Sequence, residues 1–177
     1  FRMVPRWDAQ SMKGFRARVE KDPKDIEAFI NLAWGHLQRR QEIDAGDKLL
    51  KARRIDGDHP GVILLEAYLA NANGRKDLAE KRYTDYLAMG EDDLRARLFL
   101  AQRVLQKGSD SDVAIAHLQA AKKCFPRYIG LDSPYLQLAK LYRGSNEQNK
   151  AMEELAQFAA IAAENYGVRK ELKTWYK

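Results

Sequence analysis

Alanines recur in this sequence at a spacing that a repeated structural unit explains. Ala33, Ala67 and Ala101 lie 34 residues apart, and Ala139 follows after 38 more. A second alanine follows the first after twelve residues in copies one, two and four, and after thirteen in copy three, at Ala45, Ala79, Ala151 and Ala114. Four residues later each copy has a large side chain, at Leu49, Tyr83, Leu118 and Leu155. A period of this length is typical of helical arrays.

The order small, small, large is the order expected for two packed antiparallel helices. A small residue on each helix lets the two backbones approach, and the large residue one turn later fills the remaining space. One such hairpin cannot bury both of its faces, whereas a stacked neighbour can cover the second face. The sequence therefore predicts an all-α fold, built as an open array of helical hairpins.

These positions resemble the tetratricopeptide repeat (TPR) family over residues 22–165. The fourth copy matches the family pattern best, with Tyr135, Leu138, Ala139, Tyr142, Ala151, Leu155 and Phe158. The resemblance implies a right-handed superhelix, or α-solenoid, of about four TPR-like hairpins with extra helices at both ends. It divides the chain into a lead segment (1–24), four repeats (25–57, 58–91, 92–131 with an insertion, and 132–165) and a C-terminal capping helix (166–177).

Two charged residues depart from the family pattern. Glu66 and Arg97 stand where the family usually packs an apolar side chain. Either their aliphatic stems lie along the groove while the charges reach water, or the first helices of copies two and three are rotated slightly.

Short-range signals predict where the helices begin and turn. Capping residues mark four helix starts: Asp25, Ser111, Ser133 before Pro134, and Ser145 with Gln148. Gly74 and Gly108 lie between the two helices of their copies, where the chain reversal needs a permissive backbone. The extra residues of copy three fall at 109–111 and around 128–131, so the insertions are expected in loops.

The two ends of the chain carry helical patterns of their own. Ser11 and Phe15 occupy the small and large places of a second helix, and Pro23 the closing place, so residues 9–21 read as the back half of a preceding repeat. A lone capping helix is the alternative, and the Phe1 start favours the cut edge of a longer array. Apolar residues recur at helical spacing among lysines near the other end, at Val168, Leu172, Trp175 and Tyr176. A terminal cap is the default interpretation of that segment, and a docking helix for another protein is the alternative.

The charge distribution limits nucleic-acid contact to the basic ends of the chain, which makes it the weakest of the binding alternatives. The formal net charge is +6 in 177 residues, but residues 1–21 carry +4 and residues 166–177 carry +3, so the remainder is nearly neutral. No apolar run approaches the roughly 20 residues of a membrane-spanning helix. The single cysteine excludes an internal disulfide and a thiolate metal cluster. The compartment stays undetermined, with a soluble cytoplasmic protein favoured over a periplasmic one.

Candidate catalytic groups are few and scattered. His36, His59 and His117 are tens of residues apart and lack the spacing of a metal site. No glycine-rich phosphate loop or nucleophile elbow occurs, and Cys124 lies among apolar positions as a small hydrophobe would. The sequence therefore predicts a non-enzymatic protein with no cofactor and no metal.

The TPR resemblance implies a concave surface lined by the first helix of each hairpin. Eleven positions are carried over as a peptide-binding face: Ile30, Trp34, Leu37, Leu64, Tyr68, Asn71, Leu98, Gln102, Leu105, Lys140 and Arg143. Leu136 belongs to the same face, which is apolar at its start and basic at its end. Trp34 and Tyr68 can instead pack between neighbouring hairpins. If more than half of each side chain is exposed to solvent, binding is favoured over packing.

A protein-interaction module that binds an apolar or amphipathic peptide or helix is the predicted function. Repeat domains that hold the acidic tails of heat-shock chaperones use a set of basic and amide residues, of which this chain has only Arg95 in place. Two alternatives stay open: a structural or assembly unit that self-associates through its terminal helices, and the TPR region of a larger multidomain protein.

Overall fold

The computed structural model describes residues 7–163, and these residues form nine α-helices. The helices are α1 (Ala9–Lys21), α2 (Ile26–Gln38), α3 (Glu42–Ile55), α4 (Pro60–Ala72), α5 (Lys76–Ala88), α6 (Leu94–Gln106), α7 (Ser111–Cys124), α8 (Pro134–Gly144) and α9 (Gln148–Ala162). The predicted all-α fold is confirmed. The C-terminal capping helix predicted over 166–177 lies outside the described residues.

The helices pack as hairpins in two compact units. Unit 1 ends at Glu91 and unit 2 begins at Asp92. Unit 1 contains α1 and the hairpins α2–α3 and α4–α5, and unit 2 contains the hairpins α6–α7 and α8–α9. All eight alanines of the repeat pattern are buried, as the close approach of two helices requires. Three of the large partners are buried as well, whereas Leu155 is only half-buried.

The four hairpins turn in the same way. In each, the chain enters the left-handed region seven residues after the first alanine, at Arg40, Gly74, Gly108 and Asn146. The next amide then donates to a carbonyl five residues earlier, as from Arg75 to Ala70 at 2.8 Å. This is the Schellman arrangement that closes the C-terminal end of a helix. The predicted turn roles of Gly74 and Gly108 are confirmed, and Arg40 and Asn146 hold the same conformation without being glycine.

Two of the four predicted helix starts are correct. The Asp25 carboxylate caps α2 by accepting from the Ala28 amide, and Ser133 precedes α8 with Pro134 as its first residue. The predicted cap at Ser111 is wrong, since Ser111 is already helical and Asp110 accepts from the Asp112 amide.

The predicted cap at Ser145 is also wrong. Ser145 ends α8, and α9 begins at Gln148 after Glu147. The capping-box spacing is misleading here because Asn146, in its left-handed conformation, still belongs to the turn of the hairpin.

The two charged residues in core positions are neutralised by ion pairs, which neither sequence interpretation anticipated. The Glu66 carboxylate on α4 contacts Arg82 on α5 at 2.9 Å and Arg53 on α3 at 3.4 Å. On α6, Arg97 contacts Asp92 at 2.7 Å and lies 3.4 Å from a ring nitrogen of His117. Partners on neighbouring helices for Glu66, and in the connection before α6 for Arg97, thus let charged groups occupy positions that the family fills with apolar ones.

A further ion pair joins the two hairpins of unit 2. The Lys122 ammonium on α7 lies 2.6 and 2.8 Å from the two oxygens of the buried Glu154 carboxylate on α9. The same ammonium donates to Gln157 at 3.0 Å and lies over the Tyr135 ring at 4.6 Å. Its donors are therefore satisfied without water, as a buried charge requires.

Helix α1 attaches to α2 through a residue that the sequence pattern did not indicate. The buried residue of α1 is Met12, whereas the predicted contact residues Ser11 and Phe15 are only half-buried. The Met12 side chain fills a notch above Gly35 on α2, where a Cβ atom would lie 2.1 Å from its sulfur. A side chain at this position would therefore have to displace the end of the Met12 side chain for the two helices to approach as they do.

Candidate functional site

The eleven residues of the predicted binding face all lie on the first helices of the hairpins, but their exposure differs. Ile30 and Leu98 are only 5% and 8% exposed. Their side chains belong to the hydrophobic cores of units 1 and 2. These two residues are therefore corrected from surface positions to core positions. The resemblance indicated which side of the helix these side chains are on, but the neighbouring hairpin packs against that side.

The remaining nine residues keep some exposed surface. Five are half-buried: Trp34, Leu37, Leu64, Tyr68 and Leu105. Four are exposed: Asn71, Gln102, Lys140 and Arg143. In unit 1 the first-helix face, which we define as the surface of α2 and α4 bearing Trp34, Leu37, Leu64, Tyr68 and Asn71, is mostly apolar. In unit 2 the corresponding face of α6 and α8 is mostly polar.

Three aromatic rings form a row on the first-helix face of unit 1. The Trp34 ring meets the Tyr68 ring edge to face, with centroids 4.8 Å apart and planes at 80°. On its other side Trp34 stacks on Trp7, with centroids 6.1 Å apart and planes at 24°. The row brings together residues from α2, from α4 and from the segment before α1.

Trp7 was not predicted to belong to the face, and the structure shows what holds it there. Its indole nitrogen donates to the Asn31 side chain at 3.3 Å. Its backbone carbonyl accepts from Arg39 at 2.8 Å, while the same guanidinium donates to the Gly35 carbonyl at 2.7 Å. The signal that sequence reasoning missed is Gly35, a mid-helix glycine that serves no turn.

Neither Trp34 nor Tyr68 reaches half exposure. Each ring contributes partly to packing between hairpins and partly to the surface. The exposure expected of an open binding wall is thus not met at these two positions, and the packing interpretation accounts for part of their surface. Their role in binding stays a prediction.

Two exposed cations on α8 mark the corresponding face of unit 2. Lys140 and Arg143 are three residues apart, so they lie on one side of the helix. Within residues 7–163 neither forms an ion pair. Half-buried Leu105 and Leu136 lie on the first helices of the same unit. This face therefore offers positive charge beside apolar surface.

The histidines are engaged in separate local contacts. The His36 ring lies 3.0 Å from the Gln41 side chain, and the His59 ring accepts from the Gly61 amide at 3.1 Å. His117 faces Arg97, and burial lowers its pKa, with the nearby guanidinium lowering it further. In the part of the chain that the structure describes, no three His, Cys, Asp or Glu side chains are grouped as metal ligands.

The cysteine is not set up as a nucleophile. Burial raises the pKa of the Cys124 thiol to about 11, and its hydrogen bond to Asp92 adds to the effect. Because the thiolate is the reactive form, a thiol that stays protonated near neutral pH is poorly reactive. The predicted role of Cys124 as a small packed side chain agrees with this environment.

The helices are too short or too polar for a bilayer: between residues 7 and 163, none has the length and apolar character that crossing a membrane requires.

Comparison with known proteins identifies the fold. No model of a protein family matches the sequence, and no curated protein matches it either.

Solved structures do match. PilF from Pseudomonas aeruginosa superposes with a TM-score of 0.67 at 17% identity, over 94% of this chain and 80% of that one. TTC0263, a TPR protein of Thermus thermophilus, gives a TM-score of 0.63 at 17% identity, over 96% and 90%. YrrB, a TPR protein with an unusual peptide-binding site, gives 0.51 at 13% identity, over 92% and 99%. The chain therefore has the helical-repeat fold of TPR proteins, as its sequence predicts.

Proposed function

We propose that this chain is a non-enzymatic protein-interaction module that binds an apolar or amphipathic peptide or helix on the first-helix face of unit 1. The observation that carries the proposal is the edge-to-face pair of Trp34 and Tyr68, whose rings are packed firmly yet keep exposed surface. Partly buried aromatic rings lose little conformational freedom on binding, and such residues dominate the energy of protein interfaces.

The surroundings of the aromatic pair suit a peptide. Leu37 and Leu64 add half-buried apolar surface on the same two helices. Asn71 is exposed on α4 and offers both a donor and an acceptor to a peptide backbone. Apolar anchors bordered by a few polar groups are the usual composition of a peptide groove. YrrB shows that a protein of this fold can carry a peptide-binding site.

The corresponding face of unit 2, on α6 and α8, favours a partner with acidic residues beside its apolar ones. Lys140 and Arg143 are exposed and unpaired among the described residues, with Leu105 and Leu136 on the helices of the same unit. Cations placed at the edge of an apolar surface increase association rates and select the charge of the partner. Ile30 and Leu98 support the two faces from below and do not contact the partner.

The absence of enzymatic activity is supported by how the reactive side chains are distributed. General acid–base or nucleophilic catalysis needs two or three groups within hydrogen-bond distance of one reacting atom. Here His36 and His59 each contact structural partners, and the Cys124 thiol stays protonated near neutral pH.

The proposal is tested with peptides selected from a random display library against the full chain. We expect the double variant Trp34→Ala/Tyr68→Ala to bind the selected peptides at least about tenfold more weakly, because hot-spot side chains each contribute about 2 kcal/mol or more. Fluorescence polarisation measures the affinity, and circular dichroism confirms that helicity is retained.

A second variant and a control separate binding from folding. Asn71→Glu changes an exposed side chain, so it is expected to weaken binding without loss of stability. Phe125→Ala removes an exposed aromatic ring outside the first-helix faces and should leave affinity unchanged. If both face variants bind as tightly as the wild type, the assignment of this face is rejected.

A further inference from the structure

A residue of this chain already lies against the first-helix face of unit 1. Trp7 precedes α1 and is not helical, and the following residue, Asp8, has an extended backbone. The Trp7 ring stacks on Trp34, and a Cβ atom placed at Gly35 would lie 3.3 Å from the Trp7 Cβ. A non-helical residue with its ring against a helical face has the position that an anchor residue of a bound peptide would take.

Trp7 is held by three groups on α2 and at its C-terminal cap, which we call the aromatic subsite: the Trp34 ring, the Asn31 side chain and the Arg39 guanidinium. The indole nitrogen of Trp7 donates to the Asn31 side-chain oxygen at 3.3 Å. The Asn31 side-chain nitrogen donates to the Glu27 carbonyl at 2.8 Å, so the oxygen is the group that faces Trp7. The subsite therefore recognises an aromatic ring that carries an N–H donor, which is the chemistry of tryptophan.

Arg39 supplies the contact to the backbone of the bound residue. Its guanidinium donates to the Gly35 carbonyl at 2.7 Å and, through its other terminal nitrogen, to the Trp7 carbonyl at 2.8 Å. Because every residue has a backbone carbonyl, another chain can accept the same hydrogen bond. A cavity of about 360 Å³ lined by Trp7, Asp8, Gln38 and Arg39 leaves space beside the ring for a neighbouring residue of that chain.

Helix α1 is attached to α2 independently of Trp7. Met12 is buried between the two helices, and the Arg18 guanidinium donates to the Asp25 carboxylate at 2.7 and 2.9 Å. Trp7 lies before Asp8, the N-terminal cap of α1. A rotation about the backbone of residues 7 and 8 can therefore remove the ring from the subsite while α1 stays in place.

We propose that Trp7 is an intramolecular occupant of the aromatic subsite, and that the partner peptide displaces it with a tryptophan of its own. This inference rests on the proposed function, since it names the anchor residue of the peptide that binds the first-helix face. The partner's tryptophan takes over the three contacts of Trp7, with its ring on Trp34, its indole N–H on Asn31 and its carbonyl at Arg39. Because only chains with an empty subsite can bind, Trp7 lowers the apparent affinity for the peptide.

The subsite is first tested without a partner, by NMR titration of the full chain with N-acetyl-tryptophanamide. We expect Trp7→Ala to bind this probe with a dissociation constant of about 1 mM. The wild type should bind it about tenfold more weakly, which corresponds to Trp7 filling the subsite in about nine-tenths of the chains. Phe125→Ala removes an exposed ring elsewhere and should behave as the wild type. Binding to Trp7→Ala that is no tighter than to the wild type overturns the proposal.

A second probe tests the choice of tryptophan. The benzothienylalanine analogue of N-acetyl-tryptophanamide keeps the shape of the ring but replaces the N–H by sulfur. We expect the ratio of the affinities for the two probes to fall about threefold or more from Trp7→Ala to Trp7→Ala/Asn31→Leu, because a hydrogen bond contributes about 0.5–1.5 kcal/mol. An unchanged ratio overturns the assignment of tryptophan as the anchor.

Peptides selected from a display library against the full chain test displacement by a partner. We expect them to share a tryptophan and to bind Trp7→Ala about tenfold more tightly than the wild type. Replacing the tryptophan of the peptide with alanine should remove this gain. Unchanged or weaker binding to Trp7→Ala overturns displacement, the latter because Trp7 would then be part of the binding wall.

Failure of the proposed function gives a different result. In that case the selected peptides bind the variant Trp34→Ala/Tyr68→Ala as tightly as the wild type, whereas the measurement with N-acetyl-tryptophanamide uses no peptide. Circular dichroism and urea unfolding of Trp7→Ala check that the helices, including α1, are retained.

Discussion

Gly35 determines how α1 and Trp7 attach to the rest of unit 1. A Cβ atom at this position would lie 2.1 Å from the Met12 sulfur and 3.3 Å from the Trp7 Cβ. The Met12 side chain is buried, so moving it would disturb the contact between α1 and α2. One missing methyl group therefore allows α1 to pack on α2 and Trp7 to stack on Trp34.

We expect Gly35→Leu to lower the free energy of unfolding by about 1–3 kcal/mol, because the new side chain overfills a packed contact. Urea unfolding followed by circular dichroism measures the change. Gly14→Ala on α1 is the control: no atom lies within 4 Å of its Cβ position, so helix propensity alone should stabilise by up to about 1 kcal/mol. Recovery in the double variant Gly35→Leu/Met12→Ala would identify Met12 as the cause, and an unchanged stability of Gly35→Leu would contradict the argument.

The hairpins share one turn geometry but not one turn residue. Arg40 and Asn146 have φ values of 58° and 63°, close to those of Gly74 and Gly108. A left-handed conformation costs a non-glycine residue about 1–2 kcal/mol, and asparagine tolerates it better than arginine. The packing of α2 against α3 thus overrides the local preference of Arg40.

Arg40→Gly is expected to stabilise the chain by about 0.5–1 kcal/mol, since relief of the left-handed cost exceeds the extra entropy of glycine in the unfolded chain. Thermal or urea unfolding measures the gain. Asn146→Gly should give a smaller gain, and Gly74→Arg should destabilise. A loss of stability in Arg40→Gly would show that the arginine side chain contributes more than the turn geometry costs.

His117 makes the stability of the chain depend on pH, because this histidine stays neutral in the fold at pH values where the unfolded chain is protonated. His117 is half-buried against Arg97, and its folded-state pKa lies below the ordinary value. Between that pKa and the unfolded value of about 6.5, the unfolded chain binds a proton that the folded chain does not. Stability is therefore lost as the pH falls through this window.

We expect the midpoint urea concentration of the unfolding transition that includes unit 2 to decrease when the pH is lowered from about 7.5 to about 5.5. This pH range spans the ordinary histidine pKa and lies above the pKa of most carboxyl groups. His117→Gln should flatten this dependence, because glutamine does not titrate. A wild-type midpoint that is constant over the range, or a variant with an equal slope, would rule out His117 as the source.

The candidate face shows where prediction from sequence was sufficient and where it was not. Eleven residues were carried over to the first helices from the TPR resemblance, and all eleven lie on those helices. Exposure was less predictable: Ile30 and Leu98 are core residues, and Trp34, which stacks on Trp7, is only partly exposed. Spacing gives the direction of a side chain around its own helix, but not the atoms that lie opposite.

The helical hairpins could be predicted from the amino-acid sequence alone. Their alanines and large residues recur at fixed spacings, and the contacts that these residues make within a hairpin join positions that are close in the sequence. Contacts between separate helices were needed to establish which of these residues remain exposed, how Glu66 and Arg97 are neutralised, and that Trp7 joins the aromatic row. The pairing of Trp7 with Trp34 spans 27 positions of the chain, and no local pattern encodes it.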